Sequence, residues 1–208
     1  MQIKPISLAV VTQQPAVQHI GLVHSTHVMV DIETMGTNPD APILSIGWVQ
    51  FTVEGVDHAS AKCCRLDLAK ELKAGAKCDA DTIQFWMKQP DDARAELFGA
   101  DVPAMFRNPQ NGLSVFSASM PIVSNLAGVW GNGATFDNVL LRQCFARYDM
   151  VAPWPFYKDR CFRTLKNMLP RIAAPLFTGI KHSAMDDAVH QAEHAVLLLR
   201  ELDRASPE

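Results

Sequence analysis

The spacing of apolar and polar residues changes character near residue 79, which predicts strands before that point and helices after it. Apolar runs begin at Val28 and cover residues 43–53 and 59–66. Glycine, asparagine and proline separate these runs, as they do at the corners of antiparallel meanders. The pattern therefore predicts three consecutive strands, the middle one the longest.

After residue 79 the apolar residues recur with the spacing of a helix. Ile83, Trp86 and Met87 form one apolar stripe, and a second stripe resumes beyond Pro90. Prolines and glycine predict a loop over residues 100–112, then a helix over residues 113–127 that Pro121 kinks or delays. Residues 129–130 predict a short buried strand.

The remaining third of the chain predicts further alternation of strands and helices. Thr135 is a candidate N-cap for a helix to about residue 148, with Asp137 in its first turn, where the helix dipole favours a negative charge. Residues 153–157 predict a short strand or extended loop, residues 161–169 a helix, and residues 184–204 an amphipathic helix. We predict an α/β fold with a mixed sheet flanked by helices, forming one domain over residues 26–208 after an extension of residues 1–25.

Two carboxylates interrupt the first apolar run. Because side chains alternate along a strand, Asp31 and Glu33 project from the same face. Buried carboxylates need protons, cationic side chains or metal ions, and divalent cations bind oxygen ligands well. The alternative is a strand end at the surface, where water solvates both groups.

A second group of chemically capable residues begins the last predicted helix. Ser183 at the N-cap and Asp186 three residues later have the spacing of a capping box. His182 and Asp187 then occupy the two flanking positions whose side chains meet across a helix start. A base beside a metal ligand is a catalytic arrangement.

Two other interpretations of this segment stay open. His182 and Asp187 are also compatible with a surface loop and a solvated helix residue. Alternatively, Asp187, His190 and His194 share a helix face and could form a zinc site.

Composition, net charge and cysteine pattern indicate the class of protein and its redox environment. The 208 residues are 48% hydrophobic and carry a formal net charge of -3, which fits a globular domain whose attraction for phosphates is local. The five cysteines contain no Cys-x-x-Cys pair, which favours a reducing, cytoplasmic location, and no segment is long enough to span a bilayer. One locally basic segment precedes the last helix and could follow a nucleic-acid backbone; it contains Lys158, Arg160, Arg163, Lys166, Arg171 and Lys181.

The combined motifs Asp31-x-Glu33, Asp137 and His182-x4-Asp187 resemble the DEDDh branch of the DnaQ-like 3′-5′ exonuclease superfamily, which has an RNase H-like fold. Residues 130–137, 86–89, 153–154 and 163–165 are similar to one part of that branch. It includes the amino-terminal region of exonuclease VIII, phage DexA-type exonucleases and related bacterial 3′-5′ exoribonucleases. The resemblance covers about residues 27–200. Phe85 departs from it, since that position often holds a second tryptophan.

The resemblance implies a mechanism and a set of site residues. Two divalent ions, Mg²⁺ or Mn²⁺, would be held by Asp31, Glu33, Asp137 and Asp187. His182 would be the general base, and nucleoside 5′-monophosphates would leave the 3′ end of single-stranded DNA, RNA or both. Four further residues would bind substrate: Thr34, Met35, Asn132 and Arg163.

Two other functions are also compatible with the sequence. One is a catalytically inactive nucleic-acid or protein-binding module with the same fold, although none of the five expected catalytic residues is missing. Another is a metal-dependent hydrolase acting on a different phosphoester. The sequence leaves the choice of RNA or DNA open, together with a homodimeric state, and predicts no membrane partner.

Overall fold

The structure is a computed structural model that describes residues 25–99 and 108–205. The predicted N-terminal extension therefore lies outside the described residues except for Ser25, as do residues 100–107 of the predicted loop. The division of the chain into an extension and one domain stays a prediction. No helix in the described ranges combines the length and apolar content needed to cross a membrane.

One five-stranded mixed sheet forms the centre of the fold. Its order is β3-β2-β1-β4-β5, in which the first three strands form an antiparallel meander and β4 and β5 continue in parallel. The predicted meander and the two parallel additions are thereby confirmed. The strands are β1 (Thr26–Thr34), β2 (Ile43–Thr52), β3 (Gly55–Arg65), β4 (Leu126–Gly131) and β5 (Asp159–Cys161).

Helices cover both faces of the sheet. In chain order, the α-helices of the described residues are α1 (Leu68–Lys73), α2 (Ala80–Met87), α3 (Asp91–Phe98), α4 (Pro109–Ala118), α5 (Asp137–Arg147), α6 (Phe162–Met168) and α7 (Ala184–Ala205).

The alternation along β1 assigns each side chain to one of two cores. Val28 and Val30 are buried in a cluster with residues of α4 and α5. Met29 is buried on the opposite face with residues of α6 and α7. Asp31 and Glu33 share the parity of Met29, so they project toward α7. The strand pattern thus decides which helix can meet the two carboxylates.

Both ends of α4 and the position of one strand differ from the sequence prediction, each of them near a proline. Residues 109–112, predicted as loop, begin α4: Pro109 occupies the first helical turn, where no backbone N–H is needed, and Asn108 caps the helix by accepting from the N–H of Gln110. The helix predicted over residues 113–127 ends at Ala118, and Leu126 already belongs to β4. Residues 153–157, predicted as a short strand or extended loop, are loop as far as Pro155, which cannot donate to a sheet. A short 3-10 helix (Phe156–Lys158) follows, and β5 begins only at Asp159.

The start of α5 also differs from its predicted form. Phe136, not Thr135, occupies the N-cap position, and no side chain caps the helix. Instead, the backbone N–H groups of Phe136 and Asp137 donate to the carbonyl of Gly133. Asp137 is nevertheless the first residue of the helix, as the sequence predicted.

Candidate active site

The first part of the site is the end of β1. Asp31 pairs with Gly47 of β2 in the antiparallel register, and Glu33 pairs with Ser45. The Oδ1 atom of Asp31 accepts a hydrogen bond of 2.7 Å from the Nε2 of Gln191 on α7. This bond fixes one strand carboxylate against the last helix.

Gly47 explains how α7 comes so close to the strand carboxylates. A Cβ atom at position 47 would lie 2.1 Å from the carbonyl carbon and oxygen of Ala184, and 2.3 Å from the nitrogen of Met185. Such distances are impossible for any other residue without movement of the backbone. The first turn of α7 therefore lies directly on β2, beside the strand position of Asp31.

The helix start brings His182 and Asp187 together. The backbone N–H of His182 donates to Oδ2 of Asp187 over 2.9 Å. Each side chain of Glu33, His182 and Asp187 offers one ligand atom, and these atoms lie within 4.8 Å of one another. The structure thus joins the two sequence motifs. Ser183 directly precedes the helix and Asp186 is its third residue, as predicted, but the bond of a capping box from the N–H of Ser183 to the carboxylate of Asp186 is not formed. The N–H of Ser183 donates to the carbonyl of Ile180, and the carboxylate of Asp186 accepts from the N–H of Ile180.

Two aromatic residues of α2 hold the ring of His182. That ring meets Phe85 edge-to-face at 5.4 Å between centroids, and Trp86 at 5.9 Å. Trp86 is itself fixed, because its indole N–H donates to the carbonyl of Thr34 over 2.9 Å. Sequence reasoning assigned Phe85 no role; the adjacent aromatic pair on a short helix was the available signal.

Asp137 completes the carboxylate set from the neighbouring strand. It follows β4, which pairs in parallel with β1, and its residue is only 3% exposed. Gly131 makes room for it, since a Cβ there would lie 2.6 Å from the Cβ of Asp137. We call Asp31, Glu33, Asp137 and Asp187 the carboxylate cluster.

Burial raises the pKa of every member of this cluster, and repulsion from the other carboxylates adds to the effect at Asp31 and Glu33. Burial raises the pKa of Asp31 well above its ordinary value, and the charges of Asp137 and Asp187 add to the effect. The pKa of Glu33 rises to about 9 for the same two reasons. Burial raises the pKa of Asp137 to about 7 against the opposing charge of Arg163, and raises the pKa of Asp187 against the N–H of His182. Positive charge at this place would relieve a costly arrangement.

The donor set suits a divalent cation. Among residues 25–99 and 108–205, the ion pairs with lysine and arginine involve other carboxylates, so the cluster has no bridging side-chain cation. Carboxylate oxygens are the ligands that Mg²⁺ and Mn²⁺ prefer. The residues present therefore fit such ions.

The alternative zinc site is not formed. The Nε2 of His194 lies 2.9 Å from the carbonyl oxygen of Ile172, and the ring of His190 packs against Phe177. In the described part of the chain, the compact group of three potential ligands is Glu33, His182 and Asp187. The rings of His190 and His194 instead contact residues that precede α7.

Thr34 and Met35 occupy different environments. Thr34 lines a cleft of about 310 Å³ together with Glu33, Phe85 and Phe136. Met35 is 6% exposed and packs in a small core with Leu44 and Trp86. Their contact with a nucleotide stays a prediction, and the burial of Met35 favours a supporting role.

The basic segment is only partly free to bind substrate. Lys158 and Arg160 donate to backbone carbonyls of Leu126 and Ala127, and Arg171 pairs with Glu201. The residues that face the site are fewer: the Nζ of Lys166 lies 3.4 Å from Oδ1 of Asn132, and the guanidinium of Arg163 lies beside Gly133. Asn132 and Arg163, which are predicted to bind substrate, thus lie near Asp137: Asn132 is in the loop between β4 and α5, and Arg163 is on α6 beside that loop.

Residues 26–199 match the protein family described as the 3′-5′ exoribonuclease Rv2179c-like domain. The chain belongs to this family. Membership agrees with the DnaQ-like DEDDh resemblance and places the chain in a family described by a 3′-5′ exoribonuclease domain. Comparison with curated proteins gave no match.

Solved structures agree on the fold. Exonuclease I of E. coli in complex with a dT13 oligonucleotide is 17% identical, with a TM-score of 0.54 over 86% of this chain and 43% of that one. The ExoI/SSB-Ct complex is 18% identical, with a TM-score of 0.57 over 87% and 42%. Cell-death related nuclease 4 (CRN-4) is 9% identical, with a TM-score of 0.54 over 88% and 65%. These likenesses confirm the RNase H-like fold, and the chain spans about two fifths of the exonuclease I chains it matches.

Proposed function

We propose that this family member is a metal-dependent exonuclease that removes nucleotides one at a time from the 3′ end of single-stranded nucleic acid, with RNA as the substrate that the family description favours. One observation carries the proposal: the carboxylate cluster and His182 come from three separate parts of the chain to one place beside an open cleft. The proposed products are nucleoside 5′-monophosphates.

Asp31, Glu33, Asp137 and Asp187 are the residues that would hold the metal. Their raised pKa values support this assignment, because a buried group of like charges is costly unless protons or a compensating cation neutralise it. Two bound Mg²⁺ or Mn²⁺ ions would supply activation of the attacking water and stabilisation of the leaving oxygen.

His182 is proposed as the general base. Its imidazole is partly exposed, lies beside Glu33 and Asp187, and carries a ring nitrogen that can accept a proton from water. The hydrogen bond from its backbone to Asp187 and the rings of Phe85 and Trp86 set its orientation. The proton of the attacking water would pass to this ring.

The cleft next to Glu33 is the proposed site of the terminal nucleotide. Its walls include the rings of Phe85 and Phe136, which can stack on a base, and the strand end at Thr34. A single strand suits this arrangement, since a base in a duplex has no free face to offer. The solved complexes of exonuclease I with dA13 and dT13 oligonucleotides support a single-stranded substrate on this fold.

Product analysis on matched RNA and DNA tests the proposal. Both strands carry a label at the 5′ end and are incubated with Mn²⁺, with Mg²⁺ or with EDTA. We expect a ladder that shortens from the 3′ end, that disappears with EDTA, and that is abolished in Asp187→Asn. The same substitution at Asp203, an exposed residue on the same helix, is the matched control and should leave the ladder intact.

The outcomes separate the competing functions. Intact substrate with all proteins, accompanied by retained binding of the strand, would identify a binding module instead of a nuclease. Turnover restricted to nucleotides or very short oligonucleotides would identify a different phosphoester hydrolase. A faster ladder on one of the two strands would show which sugar the site prefers.

The assignment of His182 has its own test. His182→Ala should lower kcat by about 10²- to 10⁴-fold, the usual contribution of a general base. Binding of Mn²⁺, followed by the metal-induced increase in Tm, should persist. Wild-type kcat in this variant would contradict the assignment while leaving the nuclease itself intact.

A further inference from the structure

Asp186 has no part in the function proposed above, although it lies next to Asp187. Its carboxylate contacts the loop that precedes α7, where Oδ2 accepts a hydrogen bond of 2.8 Å from the backbone N–H of Ile180. Ile180 belongs to residues 179–183, which we call the histidine loop. Asp186 therefore connects the first turn of α7 to the loop that carries His182.

The histidine loop has an unusual backbone. Gly179 has a φ of 120° and His182 a φ of 64°, and side-chain-bearing residues rarely adopt such angles. A Cβ at position 179 would lie 2.6 Å from Oδ2 of Asp186. The glycine and the carboxylate thus fit against each other. A histidine in this conformation persists only when its surroundings hold it there.

The hydrogen bonds that hold the loop differ in whether they involve a proposed metal ligand. The N–H of His182 donates to Asp187, which is also a proposed metal ligand. The N–H of Ser183 donates to Ile180 within the loop itself. Asp186 is the acidic side chain whose contact with the loop does not involve the carboxylate cluster.

We propose that Asp186 is a positioning residue for His182: its carboxylate holds Ile180 and thereby fixes the loop conformation that places the imidazole beside Glu33 and Asp187. The inference rests on the proposed function, because it requires His182 to act as the base. It assigns the Asp186-Asp187 pair two different tasks, one on the loop and one on the metal.

Steady-state kinetics on single-stranded RNA with Mn²⁺ test the inference through a double-mutant cycle. Asp186→Ala should lower kcat by about 10- to 100-fold, as expected for a misplaced catalytic group. KM and Mn²⁺ affinity should stay unchanged. Asp186→Asn keeps an oxygen that can accept from Ile180, so it should recover most of kcat. In a His182→Ala background, Asp186→Ala should cause no further loss.

Gly179→Ala provides a second route to the same contact, should Asp186→Ala fail to fold. Its added methyl group would lie 2.6 Å from Oδ2 of Asp186 and should displace that carboxylate from Ile180. Like Asp186→Ala, it should therefore lower kcat only when His182 is present. Equal losses in both backgrounds, or a fall in Mn²⁺ affinity, would overturn the positioning role. Wild-type kcat in His182→Ala would instead overturn the assignment of the base, so the two failures are distinguishable.

Discussion

Ala184 rests its backbone directly on Gly47, with 2.1 Å between its carbonyl carbon and the place where a Cβ of residue 47 would be. Gly47 is the strand partner of Asp31, and Asp187 follows Ala184 within the first turn of α7. The missing side chain therefore determines how far the helix carboxylate lies from the strand carboxylates. A geometric requirement of the proposed metal site is met by a residue that has no ligand atom.

Gly47→Ala should push the start of α7 away from β2. We expect a loss of about 1–3 kcal/mol in the free energy of unfolding, typical of overpacking, and a larger proportional loss of Mn²⁺ affinity and of kcat. Urea denaturation without metal measures the first effect, and the Mn²⁺-induced increase in Tm measures the second.

Val49→Ala is the matched control for this change. Val49 lies two residues along the same strand and is buried in the core that includes α7 residues. Its truncation should also destabilise the protein, yet the cavity leaves the helix start in place, so Mn²⁺ affinity should persist. Similar affinities in the two variants would contradict the geometric role of Gly47.

Asp187→Asn should separate stability from metal binding. Because burial raises the pKa of Asp187, its native state holds the proton more tightly than the unfolded state, and the ionised group costs stability as pH rises above its ordinary value. At pH near 8 in EDTA, the amide should therefore raise Tm above that of the wild type. With Mn²⁺ the order should reverse. A metal-free Tm below the wild-type value would contradict the cost of burying this carboxylate.

Most of the site could be predicted because its signals are local. The spacing of Asp31 and Glu33 on one strand and of His182 and Asp187 at one helix start follows from secondary-structure periodicity alone. The bond from Gln191 to Asp31 joins residues 160 positions apart, and no local pattern reports it. The contact of Phe85 with His182 is equally non-local.

The errors in the fold prediction have a similar origin. The sequence pattern predicts a loop at Pro109, although proline also begins helices, and only the cap by Asn108 distinguishes the two uses. The short strand β5 contains charged residues and has only three positions, so its pattern is too brief to show a period. It forms because β4 offers a free edge, which is a tertiary property.

His27 should make the protein less stable in mild acid. Its ring is buried, stacks on Phe51 and accepts at Nδ1 from the indole of Trp130 over 2.9 Å. Burial, and then the charge of Arg160, lower its pKa from 6.5 to about 4. Between these values the unfolded state binds a proton that the native state does not, so stability falls as pH decreases.

A comparison with His27→Asn measures this effect, since the amide oxygen can replace Nδ1 as the acceptor. Between pH 7 and pH 5, the wild type should lose about 2 kcal/mol more free energy of unfolding than the variant. Urea denaturation at the two pH values in EDTA gives the difference. Parallel losses in both proteins would show that His27 does not titrate in this range.

Arg163 should contribute to binding through charge on the phosphate backbone. It is exposed and lies beside Gly133, and its charge opposes the rise in the pKa of Asp137, so it lies next to the loop between β4 and α5. Arg163→Ala should weaken the binding of single-stranded RNA and make the salt dependence of log K shallower by about 0.7, the value for one lost phosphate contact on a single strand. Arg171→Ala is the control, because Arg171 pairs with Glu201 on α7 and its removal should leave the slope unchanged. Fluorescence anisotropy in EDTA over a range of salt concentrations measures both. An unchanged slope for Arg163→Ala would mean that the phosphate track follows other residues.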